Sequence, residues 1–349
     1  MGVQQTLSGL RLTSAQVDFS RAETPLEAAV AWEVEALFVK VFEYCDYSVR
    51  SALSGMNRDG ARCTVVLARQ KERLIGAAVC QYRAKMPSVA IVGPVAVEKK
   101  FRRMGIGTKL MRKLISLAES RGMRAIYLGV SKSNKAAGLY KSLGFAAYRG
   151  VVMRYLFCPQ DEFDQAYFLR SSFMRIRRAE WADFPGVCVL ASFPCRMQAF
   201  DLRNGVFSSR YVEPSRFLSI FPDMMKAFSQ GPGYANVLVC QTTQNVVGIA
   251  HIRSLPTEAQ RHIAELDFYV HDNFTQDAEM LLQTTIMQSV TLESKAVICY
   301  CPAGDKLKRT ILENSAAHQV AVLPAYVHLT GDYDDVLVYQ KEVTGNGSS

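Results

Sequence analysis

The 349 residues carry 41 Lys and Arg against 32 Asp and Glu, a net charge of +9, and 49% are apolar, enough for ordinary cores in two domains. No apolar run reaches the length of a membrane span and the N-terminus has no signal-peptide core, so a transmembrane or secreted protein is not expected. The charge is uneven: residues 1–171 hold 26 basic against 14 acidic side chains, a net +12, and residues 172–349 hold 15 against 18, a net −3.

In chain order, residues 10–19 alternate in parts like an edge strand, and Thr24-Pro25 opens a helix carried to about Glu43 by Ala29, Trp32, Ala36, Leu37 and Val41. A short helix is predicted from Tyr47 to Met56, then a hairpin of Cys63 to Arg69 and Leu74 to Arg83. A β-branched strand follows from Val89 to Val97, interrupted by Gly93-Pro94. Proline cannot donate to a ladder, so a bulge or an edge is expected there. The strand runs into the basic turn Glu98-Lys99-Lys100-Phe101-Arg102-Arg103-Met104-Gly105-Ile106-Gly107-Thr108, and Ile106, Leu110, Met111, Leu114, Ile115, Leu117 and Ala118 then recur at helical spacing until Arg121-Gly122. Amides at a helix start have no intrahelical partner and sit at the positive end of the dipole, so strand, glycine turn and helix make an anion site. Gly105 and Gly107 let a ligand approach the backbone without a Cβ in the way.

The turn is neither a dinucleotide fingerprint, whose third glycine would fall on Leu110, nor a Walker loop. Arg102-x-x-Gly105-x-Gly107 resembles the Q/R-x-x-G-x-G/A element of the GNAT superfamily of acetyl-CoA-dependent N-acetyltransferases. The interrupted strand, the next strand Ala125 to Val130, and Asn134-Lys135-Ala136-Ala137-Gly138-Leu139-Tyr140 through Gly144-Phe145 resemble the family's later elements, with Ser133 or Asn134 as helix cap and Gly144 after its end. The resemblance covers roughly residues 10 to 157 and implies the family's α/β (α+β) fold, a mixed, largely antiparallel sheet flanked by helices with a bulged central strand. It also implies a coenzyme site. Val95, Ala96 and Val97 would line the thioester arm. Arg102, Arg103, Met104, Gly105, Ile106, Gly107 and Thr108 would hold the pyrophosphate, and Ser133, Asn134, Ala137 and Tyr140 would contact the coenzyme from the following helix. The family's asparagine position falls on Ser133, with Asn134 one residue late.

Cys158 to Asp164 is a proline- and acid-bearing boundary, after which the pattern restarts at Met174. The expected organisation is a coenzyme-binding domain over 1–160, a linker over 161–172, a degenerate GNAT-like domain over 173–343 and a flexible tail over 344–349. Val247-Gly248-Ile249-Ala250 answers Ile75-Gly76-Ala77-Ala78, and an offset of 173 pairs Val97 with Val270, Phe101 with Phe274 and Tyr127 with Tyr300. The same offset turns Arg102 into Thr275, Gly105 into Ala278, Gly107 into Met280 and Tyr140 into Glu313, so the second copy is expected to bind no coenzyme. Its helix keeps an apolar stripe of Ala278, Leu281, Leu282, Ile286, Met287 and Val290.

The resemblance implies direct acetyl transfer from acetyl-CoA, as cosubstrate and without a metal, to a primary amine held beside the thioester. Tyr140 would be the acid that protonates the leaving thiolate. No acid lies in Val89 to Val97, so the base is open among Glu33, Glu35, Glu43, Asp46, a water relay, or a group from the second domain. A small amine is the favoured acceptor, with a protein or peptide acetyltransferase, a longer acyl group, or a non-catalytic acyl-CoA sensor as alternatives. Nucleic acid is not expected, since the basic patch lacks interleaved aromatics or zinc spacing. Nine cysteines without metal spacing read as reduced buried thiols in a cytoplasmic protein, monomeric or homodimeric, with Cys299 and Cys301 on one strand face. Met1-Gly2-Val3-Gln4-Gln5-Thr6 matches the myristoylation pattern, and membrane attachment is expected only if Gly2 is acylated.

Overall fold

The computed structural model describes residues 16–56, 59–130, 134–170, 173–198, 217–255, 257–288, 292–329 and 332–343. The first seven-stranded sheet is built from β1 (Val17–Glu23), β2 (Ala61–Gln70), β3 (Arg73–Arg83), β4 (Val89–Val97), β5 (Ala125–Gly129), β6 (Ala146–Arg149) and β7 (Val152–Leu156), in the order β1-β2-β3-β4-β5-β7-β6. Helices α1 (Ala28–Phe42) and α2 (Tyr47–Leu53) follow β1, α3 (Ile106–Ser120) joins β4 to β5, and α4 (Ala137–Ser142) precedes β6. Only β4 and β5 run parallel. The described edge strand pairs from Val17 to Glu23 with Gln70 to Thr64; residues 10–15 of the expected strand lie outside the described residues.

Alternation divides the apolar side chains between two faces. Ile75, Cys80, Ile126 and Leu128 meet Ile106, Leu110 and Leu114 of α3, while Val65, Ala77, Val79 and Ala96 meet Val34, Leu37 and Phe38 of α1. Gly76 permits the close approach of α3: a Cβ there would lie 3.2 Å from the Ala96 carbonyl and 3.3 Å from the Leu110 side chain.

A helix, α5 (Gln160–Tyr167), leads to the second sheet of β8 (Met174–Arg178), β9 (Gly233–Cys240), β10 (Val246–Ser254), β11 (Ile263–Val270), β12 (Ala296–Pro302), β13 (His318–Leu329) and β14 (Asp332–Glu342). Its order, β13-β14-β12-β11-β10-β9-β8, repeats the first sheet element for element, again with one parallel pair, β11 with β12. The helices are α6 (Phe184–Ser192), α7 (Phe217–Gln230), α8 (Ala278–Met287) and α9 (Lys306–Asn314). Gly76 pairs with Val97 and Gly248 with Val270, and the buried Phe101 and Phe274 follow, so the repeat holds through this strand. It fails at Tyr127: parallel pairing sets Tyr127 beside Ile91 and Ile298 beside Glu265, which makes Ile298 the counterpart and leaves Tyr300 two residues late.

All nine residues of α6 are buried. The helix is apolar on every side because it is covered on every side: it packs on β10 of its own sheet and on β3, β4 and β5 of the other. Val89, Ile91, Ala125 and Tyr127 thereby join Val187, Leu190, Val237 and Leu266 in one core spanning both halves of the chain. Gly186 makes this possible, since a Cβ there would lie 2.8 Å from Val246. At the rim, Asp183 has no exposed side-chain surface and accepts two hydrogen bonds from Arg177, each 2.7 Å, and one from Arg83 of β3; Arg83 also donates to Glu180 at 2.9 Å.

Replacing Asp183 with Ala leaves two mostly buried guanidinium groups short of their shared carboxylate, a defect that costs ~3–5 kcal/mol. Urea unfolding followed by circular dichroism should show a single, shared transition moved to lower denaturant. Two separated transitions in the parent protein would contradict the common core.

Candidate active site

The β4–β5 ladder consists of Val89, Ala90 and Ile91 against Ala125, Ile126 and Tyr127, and pairing stops there. Just beyond, β4 carries the expected bulge: Cys80 pairs with Val92 and Ala78 with Val95, so Gly93 and Pro94 together oppose the single residue Val79. The strands diverge above this point. Val95 and Val97 are half-buried and turn toward the α3 side, and Ala96 is buried against the α1 side.

The basic turn closes on the helix as the sequence predicts. Lys99 to Phe101 form one turn of 3-10 helix that buries Phe101, and the Arg102 Nε donates to the Val97 carbonyl at 3.0 Å. Arg103 and Gly105 both have left-handed backbones, with φ of 65° and 75°, and space beside Gly105 is open. The first helical hydrogen bond runs from Lys109 N–H to Gly105 O, so the amides of Ile106, Gly107 and Thr108 have no intrahelical acceptor. Arg102, Arg103, Met104 and Gly105 are exposed around them, and neither arginine has a carboxylate partner among the described residues. Gly107 has a second reason to lack a side chain that its spacing did not reveal: a Cβ would lie 3.3 Å from Leu139 of α4. Turn and following helix are thereby brought together.

Helix α4 begins at Ala137, not at a cap on Ser133 or Asn134. The Asn134 Oδ1 accepts the Ala136 amide at 2.9 Å, which forms a turn ahead of the helix and uses the side chain locally; Ser133 lies outside the described residues. Ala137 is half-buried at the first turn. Tyr140 is buried, its ring edge-on to Phe145 with centroids 6.0 Å apart, and burial pushes its phenol above the ordinary value of 10.0. The proton therefore stays on the oxygen at neutral pH, as a donor requires. Gly144, with φ of 97°, ends the helix, and the Phe145 amide bonds back to the Tyr140 carbonyl.

The carboxylates of the first helices divide into occupied and free. Glu33 is paired with Arg69 and Glu35 with Arg50, whereas Glu43 caps α1 in a left-handed conformation and is exposed. Asp46, ahead of α2, is raised first by burial and then by the Asp223 carboxylate of α7. Glu98 is nearly buried and accepts from Arg73 at 2.7 and 2.8 Å and from Lys40 at 3.1 Å, so β4, β3 and α1 are tied together at the root of the turn.

The second sheet shows what closes such a site. Leu281 fills the place beside Gly248 that Leu110 fills beside Gly76, so 11 positions separate strand residue Val270 from its helix anchor where 13 separate Val97 from Leu110. The turn is two residues shorter, and the pairings of Arg102 with Thr275, Gly105 with Ala278 and Gly107 with Met280 are therefore out of register. Met280 is exposed and fills nothing, and Met287 also points to solvent, off the expected stripe; Val290 lies outside the described residues. Instead, Asp277 caps α8 and is bound by Arg170 at 2.5 and 3.2 Å, while Phe168 stacks on His271 with centroids 3.8 Å apart. Tyr140 has Leu312 as its counterpart, not Glu313, because α9 ends with the same bond, from Ala317 N–H to Leu312 O, after the left-handed Ala316. The last β11–β12 pair is Leu266 with Cys299. Directly beyond it, Asp267 receives the fully buried Lys308 ammonium from α9, which also donates to the Gln198 carbonyl at 2.8 Å. Cys299 and Cys301 lie on one buried face beside it, as alternation predicts.

A splayed parallel pair, a left-handed glycine at an open helix N-terminus and a buried phenol one helix further on thus lie together on the first sheet. Residues 26–145 match the profile of the Acetyltransferase (GNAT) family, and this part of the chain is a GNAT domain. Among curated proteins the chain is similar to N-alpha-acetyltransferase 30 of Schizosaccharomyces pombe, 30% identical over 93 residues, covering 26% of this chain and 62% of that one. It is also similar to the [ribosomal protein bS18]-alanine N-acetyltransferase of Salmonella typhimurium, 46% identical over 52 residues, covering 15% of this chain and 35% of that one. A solved structure of a Salmonella typhimurium protein with its cofactor acetyl-CoA is 15% identical, has a TM-score of 0.40, and covers 50% of this chain and 96% of that one. The chain thus spans less than two thirds of the length of either curated relative. No helix among the described residues is long and apolar enough to cross a membrane.

Burial raises the Glu98 carboxyl, yet the hydrogen bonds from Arg73 and Lys40 outweigh it and hold the group below its ordinary 4.5. With the folded value depressed, the stabilisation is complete above that ordinary value and is lost as pH falls through the folded one. Glu98→Gln should therefore be less stable than the parent at neutral pH, and the difference should shrink in acid, once pH has fallen through the depressed folded value and the parent carboxylate is itself protonated. Urea midpoints at neutral and acid pH check this; a constant difference would contradict it.

Proposed function

We propose that the protein is an N-acetyltransferase that moves the acetyl group of acetyl-CoA to a primary amine, with coenzyme bound at the first sheet alone. The observation that carries this reading is the pairing of the open α3 N-terminus with the β4–β5 gap. Three amides without an intrahelical acceptor and two exposed arginines without a carboxylate partner among the described residues would receive a diphosphate, and the diverging strands leave one side of the β4 backbone unpaired for the pantetheine arm. Val95, Ala96 and Val97 line the arm. Arg102, Arg103, Met104, Gly105, Ile106, Gly107 and Thr108 form the proposed phosphate cradle, and Asn134, Ala137 and Tyr140 its far wall. The amine attacks the thioester carbon, the C–S bond breaks, and Tyr140 delivers its proton to the departing sulfur. Asp46 is the proposed proton acceptor for the amine: Glu33 and Glu35 are held in ion pairs, whereas Asp46 is exposed, makes no ion pair among the described residues, and is raised above its ordinary value first by burial and then by Asp223.

For the acceptor, the relatives favour a different choice from the small amine expected at first. Their names specify an alpha-amine in one case and an alanine of a ribosomal protein in the other. A free peptide α-amine is therefore the proposed acceptor, and a polyamine the second reading.

A thiol-release assay with acetyl-CoA over short peptides bearing free N-termini, the same peptides blocked at the N-terminus, and polyamines tests this. Release only with the free peptides is expected, and release only with polyamines would reverse the acceptor assignment. Tyr140→Phe should lower kcat by ~100-fold or more with little change in coenzyme affinity. Because burial raises the phenol, the parent rate should show no alkaline fall below pH ~10 from this group. Unchanged turnover in the variant would remove Tyr140 from the chemistry.

A further inference from the structure

Helix α1 is apolar on both sides, although only one side is covered. Val34, Leu37 and Phe38 face the sheet, while Ala29, Trp32, Ala36 and Val39 are exposed, Trp32 by 71% and Val39 by 42%. A surface helix normally turns polar residues outward, and a bare apolar stripe marks an association surface. The stripe has steps of three, four and three residues, the spacing of a two-helix seam, and it alternates small and large side chains.

We propose that α1 packs antiparallel against α1 of a second copy of this chain. In an antiparallel seam the first position of each heptad step faces the second of its partner. Trp32 then lies over Ala36 of the partner subunit, and Val39 over Ala29 of the partner subunit, so every layer sets a large side chain against a methyl group. A parallel seam would stack the two tryptophans and leave the alanines empty. Charge follows the same arrangement. Glu33 and Lys40 flank the stripe on one side, and antiparallel packing carries each toward the opposite sign on the partner, with Glu33 sharing its carboxylate between Arg69 of its own copy and the approaching lysine. Lys40 donates one hydrogen to Glu98 and keeps a 58% exposed side chain for the second contact. Glu35, which meets its own copy across the axis, is already neutralised by Arg50 at 2.7 Å. The opposed helix dipoles add to the fit. A membrane surface is the wrong occupant: Glu27, Glu33, Glu35 and Glu43 outnumber Lys40 along α1, the reverse of what anionic lipid attracts. A helix of 15 residues is about 22 Å long, so the interface is small and the dimer belongs to the weak, concentration-dependent class.

The chain has two tryptophans, and Trp181→Phe leaves Trp32 as the single reporter. Sedimentation velocity on the full chain over rising concentration should show mass moving from monomer toward dimer, while the Trp32 emission shifts to the blue in step. Trp32→Glu should remain monomeric with an unchanged far-ultraviolet spectrum. Ala36→Trp separates the seam from general stickiness, because it adds apolar surface yet fills the space the partner's tryptophan needs; it too should weaken the dimer. A monomer at every concentration, a dimer that survives Trp32→Glu, stronger association in Ala36→Trp, or a blue shift seen only on adding anionic vesicles would each overturn the assignment.

Discussion

The molecule is organised around the point where two parallel strands stop pairing. In both sheets the crossover helix draws the strands apart after a few residues, at Ile91 and Tyr127 in the first and at Leu266 and Cys299 in the second. A gap of that kind exposes main-chain groups that must find partners or a ligand. The second gap is crossed by Lys308 reaching Asp267, with Arg170 on Asp277 over the neighbouring helix start. No described side chain makes the equivalent bond across the first gap, and the bulge at Gly93-Pro94 removes one more ladder position from it. The same fold is thus present twice, once open and once closed by its own residues.

The closed copy still has work to do as structure. Its helix α6 serves as the floor of both sheets, and it meets the first sheet at Ile91 and Tyr127, directly below the gap. Around it, Arg154 is buried between Asp164, 2.8 Å away, and the Tyr148 ring, 3.9 Å away, which fixes the β6–β7 hairpin against α5. Removing a helix buried on all sides would uncover apolar surface on both sheets at once, at roughly 25 cal/mol for each Å² returned to water. That constraint explains how the second unit keeps its core while its turn shortens and its phenol position becomes Leu312.

Much of this was legible from the residues. Element order, the bulge, the α3 boundaries and the left-handed Gly144 follow from local patterns: β-branched runs, a proline that cannot donate, and a glycine where the helix must end. Local patterns also misled where spacing was carried too far. A fixed offset of 173 assumes that nothing was inserted or lost, so it held from Val97 to Phe101 and then slipped by two residues in the turn and at Tyr127. The cap of α4 was misplaced because Asn134 satisfies a loop amide ahead of the helix. Long-range pairings such as Lys308 with Asp267, Glu98 with Arg73, and Leu139 against Gly107 join residues whose partners have no sequence signal, since any basic or apolar residue could have met them. The run Phe184 to Ser192 did carry a signal, an apolar helix with no polar side, which is the mark of an element covered all round.

The central claim is that one gap is open and its twin is closed within a single chain. Titration calorimetry of the full protein with acetyl-CoA tests it most directly. The account requires a stoichiometry of one coenzyme per chain; two per chain, or no binding, would contradict it.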